Sequence, residues 1–208
     1  MAMSYGFSAR EYLFRARKCL AQEDPSCLFY AAFELRCGVE VRMREYLESW
    51  DHVSNKQKKG WQIASLGNAT LEAFKTDRYQ RWKLSEPQTQ TVVSVHYYTP
   101  VTSSLQKNAE KLGNYLHSQT RHIPAGSEWW GSFRSLLEEM EKQLTVATSG
   151  TLLGPAMLME DNQILMSARL PPVYNPKEFV ELQHRSIIDV DYLDELPDPL
   201  DPKAVVWK

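Results

Sequence analysis

The stretch LGNYLHSQTRHIP, residues 112–124, places His117, Arg121 and His122 within six residues of one another. A histidine titrates near neutrality and can pass protons as general acid or base, while an arginine can hold developing charge on a phosphate. That combination suits cleavage of RNA without a metal. His117 and Arg121 stand four apart, so they share a face if the helix continues through them, with His122 turned elsewhere. The competing reading is a solvated helix end whose basic side chains meet the negative end of the helix dipole. The sequence favours that second reading, and His117, Arg121 and His122 remain only candidates for catalysis.

Two further segments carry recognition chemistry. RYQRWK, residues 78–83, interleaves Arg78, Arg81 and Lys83 with Tyr79 and Trp82, a mixture that can pair phosphates and stack unpaired bases. Lys56, Lys58 and Lys59 extend the patch in sequence, although aromatic rings beside basic residues also commonly lie under lysine and arginine stems on an ordinary surface. DVDYLDELPDPLDP, residues 189–202, holds six acidic side chains and three prolines with no basic residue. It reads as an extended acidic arm. As a purely solvating tail it would not need Val190, Tyr192, Leu193, Leu196 and Leu200, which are expected to dock on a partner or on the chain's own basic helical face.

Composition removes several classes. There is no glycine-rich phosphate loop, no G-x-S-x-G elbow, no H-E-x-x-H and no cysteine–histidine ladder of zinc spacing. Cys19, Cys27 and Cys37 are odd in number and lack a C-x-x-C spacing, so they read as reduced core residues; no metal or cofactor is expected. No apolar run suits a signal peptide or approaches the roughly 18 residues of a membrane span, so a soluble, cytoplasmic protein is expected. The net charge of −2 hides an asymmetry: residues 1–122 hold 17 basic against 12 acidic side chains, and residues 123–208 hold 7 against 14. The two parts should attract each other, or different partners.

The elements that must position these residues are mostly helical. Ser8 and Glu11 have capping-box spacing and open a first helix with a basic outer side. Asp24-Pro25 opens a second, running to about residue 50, in which Leu28, Ala32, Leu35, Val39, Met43, Tyr46 and Trp50 recur in steps of three and four. Arg36, Glu40 and Arg44 form a charged stripe beside that face. Residues 51–60 read as a polar connection, followed by a short helix interrupted near Gly67. Residues 90–101 read as a strand. A third strong helix begins at the Ser103–Gln106 capping spacing, with Leu105, Ala109, Leu112 and Leu116 inward. A fourth begins at Ser127, with Trp130, Phe133, Leu137, Met140 and Leu144 inward and Gly150 as its stop. Residues 152–172 read as a hairpin turning at Glu160-Asp161-Asn162.

The run YLFRARKCLAQEDPSCLFYAAFELRCGVEVRMREYL, together with LQKNAEKLGNYLHSQ, resembles the helical HEPN superfamily, named for higher eukaryotic and prokaryotic nucleotide-binding domains. The resemblance spans residues 8–50 and 103–145 and lies in helix order and apolar pattern. It implies a bundle of four or five helices, often dimeric, of a kind that recurs in toxin–antitoxin and anti-phage systems, where many members are metal-independent ribonucleases. Active members carry arginine, four to six residues, then histidine. None of His52, His96, His117, His122 and His184 has an arginine five to seven residues before it, so the usual motif is absent. Only the reversed order, His117-x3-Arg121, remains.

The expectation is therefore a mainly α protein: a HEPN-like bundle over residues 1–149, then a small β-rich C-terminal addition with the acidic arm over residues 150–208. Functionally it is expected to be a non-catalytic or regulatory component of a bacterial defence or toxin–antitoxin system that binds RNA, a protein partner, or a second copy of itself, with no membrane role. The alternatives are an atypical metal-independent endoribonuclease and an assembly subunit with no nucleic-acid role.

Overall fold

Ser8 Oγ accepts from Glu11 N–H at 3.3 Å and the Glu11 carboxylate takes Ser8 N–H at 3.0 Å, which opens α1 (Ala9–Leu20). Two amides that the helix cannot satisfy internally are thereby bonded, a gain of about 1 kcal/mol. In α2 (Ser26–Glu48) the same office falls to Asp24, which takes Ser26 N–H at 2.9 Å beside Pro25; that bond holds the Asp24 carboxyl below its usual range. The computed structural model describes residues 6–117, 122–158, 164–165, 167, 177, 180–181 and 185–197.

The helical unit comprises Met1–Lys75 and Val101–Thr148. Its centre is α2, whose Leu28, Leu35, Val39, Met43 and Tyr46 are buried as their spacing predicts, and which packs against α1. Residues 51–60 hold a short α3 (Asn55–Lys58) rather than only a connection, because Ser54 and Gln57 make a second capping box. The next helix, α4 (Ile63–Phe74), runs unbroken through Gly67. A side chain there would meet Gln106 Oε1 at 2.0 Å, so this glycine lets α5 (Ser103–Leu116) approach rather than breaking α4. The cap of α5 is Thr102, whose side chain accepts from Leu105 N–H, one residue before the expected Ser103. The last helix, α6 (Glu128–Ser149), buries Phe133, Leu137, Met140 and Leu144, with Trp130 half-buried.

Three of these helices meet in one polar knot. The guanidinium of Arg42 donates from Nε to Ala147 O at 2.8 Å and from Nη1 to Glu45 Oε2 at 3.0 Å, with Tyr46 OH also donating to Ala147 O. Glu45 Oε1 then takes Ala9 N–H at 3.1 Å, and Arg10 donates to Thr148 O. The carbonyl end of α6 thus meets cations and the amide end of α1 meets a carboxylate, each the sign that the helix dipole favours.

The second unit comprises Thr76–Pro100 and Ser149–Lys208, so the mid-chain piece goes with the C-terminal part rather than with the helices on either side of it. It holds β1 (Tyr79–Ser85), β2 (Val92–Tyr98), a short antiparallel pair β3 (Met157–Leu158) and β4 (Ile164–Leu165), and β5 (Ile187–Leu193). The expected hairpin is present in that short pair; its turn at 160–162 lies outside the described residues. The strands β2, β1 and β5 form, in that order, an antiparallel sheet. The protein is thus mainly α with a small β part. Two expectations are corrected here. RYQRWK is the central strand of the sheet, and the first part of the acidic arm is its neighbour: Arg81 faces Asp191 and Lys83 faces Asp189. The helix α6 does stop at Ser149, directly before Gly150 as expected, though without a left-handed glycine; a Cβ at Gly150 would lie 2.5 Å from Tyr97 O, so close approach to β2 requires glycine there.

Candidate functional site

The helix α5 stops at Leu116, and His117 is its extended C-cap (φ −75°, ψ 157°), with its N–H bonded to Gly113 O at 3.3 Å. The described helix therefore ends before His117. His117 and His122 are both exposed, and Arg121 lies outside the described residues. Beside them the bundle end is closed by aromatic packing: Tyr115 stacks on Phe133 at 4.8 Å, Phe29 meets Trp129, Trp130 and Phe133, and Trp130 Nε1 donates to Pro124 O. This is the chemistry of a helix terminus held by ring contacts.

The basic strand is engaged within the chain. Arg81 bonds Asp191 Oδ2 through Nε at 3.0 Å and Nη2 at 2.7 Å, Lys83 reaches the same oxygen at 2.9 Å, and Arg78 pairs with Asp194 at 2.9 Å. Lys83 and Arg81 together hold the Asp191 carboxyl below its usual range, and the bond to Asp191 pushes Arg81 up. Trp82, the expected stacking ring, is 0% exposed, with its Nε1 donating to Gln80 Oε1 at 3.1 Å. It cannot receive a base in this arrangement. Strand alternation explains why: Gln80, Trp82 and Leu84 point to one face and Arg81 and Lys83 to the other, so ring and charge part company. Lys58 ends α3 and Lys59 caps it, in the helical unit, whereas RYQRWK belongs to the other.

The four anchors of the acidic arm divide. Leu193 and Leu196 pack on Val95 and Tyr97 of the sheet, so they are spent in the chain's own core. Tyr192 is exposed, with the Arg78 guanidinium 5.5 Å from its ring, and Leu200 lies outside the described residues. None of the three cysteines forms a disulfide and all are half-buried, less deeply set than core residues; burial pushes Cys37 up to about 11, so it stays a thiol at neutral pH.

One arrangement was not anticipated. Ser94 Oγ lies 2.8 Å from His96 Nε2, and His96 Nδ1 lies 3.0 Å from Thr151 Oγ1. This is the order of nucleophile, base and orienting group. Yet Ser94 and His96 are each 2% exposed, and burial lowers the imidazole to about 4. Closed to solvent and uncharged at neutral pH, the chain of three polar groups ties β2 to the segment after α6. The Ser94–His96 spacing on a strand signals half of it; Thr151, 55 residues away, carries no sequence signal.

Among the described residues no cluster of His, Cys, Asp or Glu is placed to hold a metal, and no helix is long and apolar enough to cross a membrane. Compared with protein-family models, with curated proteins and with solved structures, the chain matches none.

Proposed function

We propose that the protein is a non-catalytic, HEPN-like binding or regulatory component that acts in the cytoplasm through contact with a protein partner. The observation that carries this reading is the pairing of Arg78, Arg81 and Lys83 with Asp194 and Asp191, which spends in cis the charge that an RNA site would offer to phosphates. Large apolar side chains, meanwhile, stand exposed on the helical unit. The setting in bacterial anti-phage defence or a toxin–antitoxin pair rests on the resemblance in helix order and apolar pattern alone.

The test is RNA binding and cleavage in EDTA. Single-stranded RNA is expected to bind weakly even at low salt, and to remain intact whether or not His117 and Arg121 are replaced by alanine. Replacing Asp191 and Asp194 together by asparagine should free up to three cations and tighten RNA binding about tenfold at low salt, with a steeper salt dependence. Cleavage abolished by His117→Ala, or tight RNA binding by the unmodified chain, would instead establish the ribonuclease or RNA-binding reading.

A further inference from the structure

Trp61 is 64% exposed although the chain is fixed on both sides of it. Before it, Gly60 O takes Arg44 Nη2 at 3.5 Å, and a Cβ at Gly60 would lie 3.4 Å from Leu66 Cδ2, so the backbone runs close against α4. After it, Ile63 enters the core as α4 begins. Along α4 itself, Ala64, Asn68, Leu71 and Lys75 are exposed at steps of four, three and four, which keeps them on one side. Ile63, Leu66, Ala69 and Phe74 form the buried side. Leu71 is 54% exposed, and roughly 15 Å of chain at helical rise separates it from Trp61, with Ala64, Ser65 and Asn68 exposed between them. Two large anchors with a low floor between them can seat about three turns of a partner segment.

The surroundings carry one sign. From His52 to Thr76 the chain has four lysines and one carboxylate, Glu72. The Gln57 amide that closes the cap of α3 through its oxygen donates through Nε2 to Glu72 Oε2 at 3.1 Å, so α3 is tied to α4 and brings Lys56, Lys58 and Lys59 beside it. Among the described residues none of Lys56, Lys58, Lys59 and Lys75 is in an ion pair, whereas Arg15, Arg17, Arg42 and Arg44 of the same unit each hold a glutamate. The amide end of α4, whose Gln62 cap makes no side-chain bond, adds charge of the same sign beside Trp61.

Free cations around two apolar anchors suit a partner that supplies carboxylates and apolar side chains together. Other anionic surfaces fit less well. RNA would stack on rings, and Trp61 is the one exposed ring here, Phe74 being buried; Leu71 and Ala64 give a base nothing to stack on. A lipid surface would take Ser65, Asn68 and Glu72 from water with no group to bond them, whereas a peptide backbone can.

We infer that the outer side of α4, with Trp61 and Leu71 as anchors and Lys56, Lys58, Lys59 and Lys75 as its charge, docks an acidic protein segment with spaced apolar side chains. This names the chemistry of the partner in the protein-contact reading above and rests on that reading. The probe is a fluorescent peptide of about 15 residues, about four helical turns, built of glutamate with leucine at steps of three and four. Its anisotropy should rise on addition of the full chain, and rise less as salt is raised. A peptide with lysine in place of glutamate should bind at least about tenfold more weakly. Trp61→Ala with Leu71→Ala should raise the dissociation constant about tenfold or more, and Lys58→Glu with Lys59→Glu should do the same, chiefly by slowing association. All four side chains are exposed or half-buried, so helicity and melting temperature should be unchanged. Tyr30→Ala with Phe33→Ala, on α2, should leave the affinity as it is.

Equal binding of the two peptides, or binding that survives Trp61→Ala with Leu71→Ala, would overturn the inference. So would no binding of the acidic peptide, which would leave protein contact standing but place it on another face. Oligouridine or phosphatidylserine vesicles captured through Trp61 in place of the peptide would overturn it as well, and RNA capture would take the protein-contact reading with it.

Discussion

Replacing Arg42 by alanine should lower the unfolding free energy by about 3 to 5 kcal/mol, the range for removing one partner of a buried ion pair. The side chain is almost fully buried and bridges two helices: its Nε holds Ala147 O, and its Nη1 holds the Glu45 carboxylate that in turn takes Ala9 N–H. Burial works to lower the Arg42 pKa, but Tyr46 and Glu45 outweigh it and the guanidinium is held above its usual range. Alanine would remove the Arg42 cation from beside Glu45 and take its guanidinium donor from Ala147 O at the carbonyl end of α6. Arg42→Lys should recover part of the loss, because charge is restored but the two-pronged geometry is not. Against a total of about 5 to 15 kcal/mol for a typical domain, a loss of this size is a large fraction. Urea titration followed by helical circular dichroism measures it. A loss below about 1 kcal/mol would mean that the knot contributes little beyond ordinary hydrogen bonds.

Acidification should destabilise the sheet unit through His96. The folded imidazole titrates at about 4, lowered from 6.5 by burial. As pH falls below 6.5, the unfolded chain takes a proton that the folded chain refuses, so stability is lost from that point down to about pH 4 and levels off below it. Two and a half pH units correspond to about 3 kcal/mol, read as an order of magnitude. The hydroxyls of Ser94 and Thr151, both uncharged, lie against the two ring nitrogens, with Trp82 opposite on β1. His96→Asn should flatten the dependence between pH 4 and 6.5 while leaving other acid transitions in place. Those include Asp191, whose lowered value makes its contribution present above the usual carboxylate range and lost as pH falls below it. An imidazole that titrates by NMR near 6.5 in the folded protein would refute the expectation.

Features closed within a few residues were legible in the amino-acid sequence. The cap of α1 needs only Ser8 and Glu11, and the buried side of α2 needs only a repeat of three and four, because helix bonds and side-chain neighbours lie within one or two turns. The failed break at Gly67 shows the limit of that local reading: its meaning comes from Gln106, on another helix. RYQRWK was opaque for a related reason. Its Gln80, Trp82 and Leu84 alternate as a half-buried strand does, but the charges of Arg81 and Lys83 resemble a nucleic-acid surface until the strand opposite is known. That strand supplies Asp191, 110 residues from Arg81. Likewise Arg42 finds Ala147 at a separation of 105 residues and His96 finds Thr151 at 55. The sequence by itself determined the helices, their caps and their inward faces. Only the tertiary structure decided which charges are spent and which rings are hidden, because a charge is neutralised by whatever the folded chain brings beside it, and chain separation carries no information about that neighbour.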